Sequence, residues 1–95
     1  MKFDYIFVLY DIADEESEAG KNRVSKVFKI CKKYLNHHQK SVFRGEITYS
    51  DFMMLRKELE DVIDKNLDKV TFVKIKNKHV FEIDDLGIEE DDLFI

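Results

Sequence analysis

The chain has 95 residues, 16 Lys and Arg against 20 Asp and Glu, 44% hydrophobic residues and a single Cys. These numbers bound it to one small domain with enough apolar side chains for a core. A lone Cys31 excludes an intramolecular disulfide framework and, with no export signal, fits a reducing cytoplasm. No apolar run reaches membrane-spanning length, so no membrane partner is expected. The net charge of -4 is unevenly spread. Residues 84–95 carry six acidic groups and no Lys or Arg, which leaves 1–83 slightly basic, so a polyanionic partner is not excluded.

Phe3 to Ile12 is the most apolar run and reads as a buried strand. Alternation puts Phe3, Tyr5, Phe7, Leu9 and Asp11 on one face and Ile6, Val8, Tyr10 and Ile12 on the other. Both faces are apolar, so both need cover. Asp11 breaks the pattern, and a carboxylate there needs a pairing partner, a solvated edge or a metal. An acidic loop follows over Ala13–Glu18. Val24, Val27, Phe28, Cys31, Tyr34 and Leu35 then recur at helical spacing and predict a helix over 19–35. Gly20 marks a weak point near its start. His38 to Ile47 reads as extended. Gly45 within it signals a bulge, bend or turn, so one strand and two short paired strands both remain open.

Phe52, Leu55, Leu59, Val62 and Ile63 predict a second helix over 50–65, capped by Thr48 or Ser50. Val70 to Lys76 and His79 to Ile83 read as strands around an Asn77-Lys78 turn. The expected organisation is a ferredoxin-like domain over 1–83 and an acidic segment over 84–95. Leu93-Phe94-Ile95 at its end invites pairing with a partner subunit. The order β-α-β(β)-α-β-β predicts an α+β fold, βαββαβ, with helices on one side of an antiparallel sheet and an extra C-terminal strand. The uncovered sheet face predicts a homodimer.

Tyr10-Asp11-Ile12, then Gly20-Lys21-Asn22-Arg23-Val24-Ser25-Lys26-Val27-Phe28-Lys29, then Gln39-Lys40-Ser41-Val42-Phe43-Arg44-Gly45-Glu46 and Leu86-Gly87 resemble the CRISPR-associated Cas-two family, the small adaptation proteins. The resemblance spans nearly the whole chain. It implies a ferredoxin-like homodimer that bridges the Cas-one integrase and holds a DNA duplex during spacer acquisition. It also implies metal-dependent endonuclease activity on RNA or DNA in some members. The family's metal-binding and catalytic Asp maps onto Asp11, its basic positions onto Lys21 and Arg23, and its aromatic onto Phe43. One Mg2+ or Mn2+ shared by the two Asp11 of a dimer is the expected cofactor, because a lone carboxylate makes a poor site for such an ion.

Lys21, Arg23, Lys26 and Lys29 are the expected phosphate contacts, which would be sequence-independent. Their other reading is a solvated helix face, with Arg23 paired to the acidic loop. Tyr10 is expected to pack or to support the backbone beside Asp11. Phe43 is read as core or dimer interface before base-stacking platform. His37 and His38 point apart in a strand and cannot chelate one ion side by side. The toxin ribonucleases related to virulence-associated protein D, which share the fold, are the alternative.

Overall fold

The computed structural model describes residues 3–76 and 80–87. Its elements are β1 (Phe3–Asp11), α1 (Glu18–Tyr34), β2 (Asn36–Gln39), β3 (Val42–Thr48), α2 (Tyr49–Val62) and β4 (Lys69–Ile75). The strands form one antiparallel sheet in the order β2-β3-β1-β4. This is the ferredoxin-like α+β arrangement expected from the element order.

The apolar run forms one of the two inner strands, with a neighbour hydrogen-bonded on each side: Val8 lies opposite Phe43 on β3 and Phe72 on β4. Its alternation holds. Ile6, Val8, Tyr10 and Ile12 enter a core with Val27 and Cys31 of α1, Phe43 and Ile47 of β3, and Phe52, Leu55 and Leu59 of α2. The helices therefore cover one face of the sheet. On the other face Leu9 and Val73 remain exposed, with Tyr5 and Phe7 half-buried.

Helix α1 begins where Ser17 caps it. The Ser17 hydroxyl accepts from the Gly20 N–H at 3.0 Å and donates to the Asp14 carbonyl at 2.7 Å. Thr48, not Ser50, caps α2, accepting from the Asp51 N–H at 3.1 Å. That helix stops at Val62, three residues before its expected end. The Asp64 carboxylate accepts from the Asn66 N–H, and the Leu67 and Asp68 N–H groups donate to the Asp64 carbonyl, so a tight turn replaces the next helical turn.

The extended region is two strands, but Gly45 does not divide them. The chain turns at Lys40–Ser41, with Lys40 at φ 38, and Gly45 sits within β3 opposite Ile6. The further strand expected over His79–Ile83 is not formed: residues 80–87 hold no strand, and His79 lies outside the described residues. Instead Phe81 lies on the open sheet face, its ring 5.0 Å from Tyr5 and 6.3 Å from Phe7, and Asp85 approaches His38 at 3.6 Å. Leu93–Ile95, read as a dimer element, also lies outside the described residues. Among the described residues no helix is long and apolar enough to cross a membrane.

Candidate active site

Asp11 ends β1 on the sheet face that the helices leave open. Its neighbours Tyr10 and Ile12 are buried on the opposite side, while Asp11 itself is exposed. Lys69 lies directly opposite it on β4. The carboxylate is thus held by a rigid strand yet stays accessible, so the desolvation cost weighed for a buried Asp does not arise.

The loop after Asp11 is fixed by an ion pair that the sequence did not reveal. The Arg23 Nε donates to Asp68 Oδ2 at 2.9 Å, and its Nη2 donates to the Ala13 carbonyl at 2.9 Å. Asp68 Oδ1 accepts from the Ala13 N–H at 2.9 Å, and Oδ2 accepts from the Asp64 N–H at 2.9 Å. The Asp68 side chain is fully enclosed and that of Arg23 is 16% exposed. Burial works against the Asp68 charge. The Asp64 and Ala13 N–H groups and the Arg23 guanidinium outweigh it and hold the carboxyl below its ordinary pKa. Arg23 therefore turns inward. It braces the β1–α1 loop through Asp68 and the Ala13 carbonyl, so its guanidinium is paired with Asp68 and with the loop backbone, not with the carboxylates of the acidic loop.

Lys21, Lys26 and Lys29 are exposed on α1, Lys26 and Lys29 one turn apart. Tyr10 is a core residue whose ring stacks on Phe43 with 6.3 Å between centroids. Its pKa is pushed up to about 12, first by burial and then by the nearby Cys31 thiol. The Tyr10 N–H also donates to the Ser41 carbonyl at 3.1 Å, tying the strand end to the β2–β3 turn. Phe43 is completely buried and forms part of the core. His37 and His38 point to opposite faces. His37 packs against Phe28 and Phe43 and hydrogen-bonds the Lys40 carbonyl, whereas His38 accepts from Arg44 Nε at 3.0 Å on the open face.

The oxygen donors of Asp11 suit a hard cation such as Mg2+ or Mn2+. A single chain does not complete such a site: among the described residues no three His, Cys, Asp or Glu side chains are grouped to hold an ion.

The family model described as CRISPR associated protein Cas2 matches residues 4–83. The chain belongs to the Cas2 family. Its Cas2 relatives include the CRISPR-associated endoribonuclease Cas2 3 of Thermodesulfovibrio yellowstonii, 45% identical over 92% of this chain and 91% of that one. The CRISPR-associated endoribonuclease Cas2 of Pyrococcus furiosus is 38% identical over 90% of this chain and 91% of that one. Among solved structures, Streptococcus pyogenes Cas2 at pH 6.5 superposes with a TM-score of 0.76 at 29% identity, covering 87% of this chain and 99% of that one. Cas2 membership replaces the alternative of a toxin-type ribonuclease.

Proposed function

We propose that this Cas2 chain works as a homodimer that hydrolyses phosphodiester bonds in nucleic acid, RNA foremost, with Asp11 as the catalytic residue. The observation that carries this reading is the placement of Asp11: an exposed carboxylate at the end of the inner strand β1, on the apolar sheet face that the helices leave bare. Two copies meeting through that face bring two Asp11 side chains toward one axis. The names of the relatives, CRISPR-associated endoribonucleases, agree with the reaction class.

The paired carboxylates would hold one shared Mg2+ or Mn2+, which when bound offsets phosphate charge and lowers the pKa of a coordinated water. Without it, two like charges so close repel. The rigid strand supplies position, and the Arg23–Asp68 brace fixes the loop that follows it. Lys21, Lys26 and Lys29 supply salt-sensitive, sequence-independent attraction for the phosphate chain. The same dimer and the same lysines suit a scaffold that holds a DNA duplex beside the Cas-one integrase in the cytoplasm.

Asp11→Asn tests the catalytic assignment. Cleavage of RNA should fall at least about a hundredfold, the low end of what a positioned catalytic group contributes. The circular dichroism spectrum and melting curve should not change, because the side chain is exposed. Purified variant that cleaves as fast as wild type would remove Asp11 from the chemistry.

A further inference from the structure

Beside Asp11 the structure holds a cleft that the strand end alone does not explain. It measures about 400 Å³ and is lined by Asp11, Ile12, Val24, Phe28, Lys40 and Ser41, among others. That volume falls within the roughly 300–1,000 Å³ of small-molecule sites. Its walls are of two kinds. Val24 and Phe28, one turn apart on α1, form an apolar side; Asp11, Glu15, Lys40 and Ser41, two of them acidic, bring polar groups to the sheet end. Phe28 as a whole residue is 36% exposed. Its other contacts hold it still: it lies edge-on against Phe43 at 5.2 Å and His37 at 5.0 Å. The opposite wall is equally fixed, since the Tyr10 N–H holds the Ser41 carbonyl at 3.1 Å.

We infer that this cleft is a nucleobase pocket, which takes one unpaired base of a single-stranded nucleic acid beside the phosphate that Asp11 addresses. The inference rests on the proposed role of Asp11 for its place in the reaction, and on the cleft itself for binding. A rigid aromatic wall with a few convergent polar groups is what base recognition uses. A base within a duplex has both faces stacked and cannot enter, so the pocket selects single strands, or duplex ends that open. The polar groups at the sheet end then meet the edge of the base and the apolar wall meets its face.

The binding test is an NMR titration of the full chain with the four ribonucleoside 5′-monophosphates, uridine and inorganic phosphate. Nucleotides and uridine should shift the amides of Val24, Phe28 and Ser41. Val24→Phe, which fills the cleft, should abolish those shifts while the variant melts as a folded protein; Phe28→Leu keeps an apolar wall without the ring and should weaken them. Unshifted amides at millimolar nucleotide would overturn the pocket. Inorganic phosphate shifting the same amides as the nucleotides would also overturn it, because only an anion would then be sensed.

With a short single-stranded RNA substrate, Val24→Phe should raise KM about tenfold, the scale of one lost base-stacking contact, with kcat little changed. The titration reads binding without cleavage. An inactive wild type, or an active Asp11→Asn, would fault the hydrolytic reading and leave the titration to decide the pocket.

Discussion

Arg23 and Asp68 show how much a single pair can decide. An enclosed carboxylate that loses its guanidinium keeps only the Ala13 and Asp64 N–H groups, a defect of about 1–3 kcal/mol. Arg23→Ala should therefore cost stability on that scale in urea unfolding, and the β1–α1 loop should loosen with it. The pair also sets an acid limb. The Asp68 pKa is lower in the folded chain than in the unfolded one. Its contribution is then fully present above the unfolded value, about 3.9, and is lost as pH falls through the folded value. Unfolding followed from pH 6 downward should show this loss in wild type and a flatter limb in Asp68→Asn. Cys31 makes the opposite case. Burial pushes its thiol up to about 12, so it is both enclosed and protonated at neutral pH. A thiol reagent such as DTNB should react with it only once denaturant unfolds the chain.

At the scale of elements, the start of α1 depends on a close approach of two backbones. A Cβ at Gly20 would lie 1.9 Å from the Asp14 carbonyl oxygen. That neighbour is backbone and is itself engaged by the Ser17 N–H and hydroxyl. Gly20→Ala, which would favour an ordinary helix interior, should here destabilise by about 1–3 kcal/mol, measured by thermal or chemical melts. Glycine at this position is a packing requirement that lets the acidic loop fold against the helix.

For the whole molecule, the open sheet face is the feature with the largest consequence. Leu9 is 40% and Val73 44% exposed there. Leu9 lies two residues from Asp11 and Val73 opposite Phe7, whereas Phe81 packs on Tyr5 and Phe7. Leu9→Lys or Val73→Glu should convert a dimer to a monomer in light scattering after gel filtration. Each should leave the fold intact, since neither side chain enters the core. RNA cleavage should fall with the dimer if two Asp11 are needed. A monomeric wild type at micromolar concentration would overturn the shared site.

Patterns confined to a few neighbouring residues were legible in the sequence. β1 and its two faces follow from strict alternation, both helices from apolar spacing, and the ferredoxin-like order from the elements in turn. Asp11 stood out because it interrupts an apolar strand. Other features depend on residues far apart in the chain. Asp68 carries no local signal as the partner of Arg23, 45 positions away, so a phosphate contact and pairing with the acidic loop are the readings the sequence offers for Arg23. The turn at Lys40–Ser41 was hidden because a lysine adopts a left-handed φ there, while Gly45 drew attention to the wrong place. The cleft beside Asp11 needed α1, the strand end and the β2–β3 turn brought together. Period and composition act through nearest neighbours and so show in the sequence; ion pairs, backbone contacts and cavities are set by how the packed layers meet, and only the tertiary structure decides them.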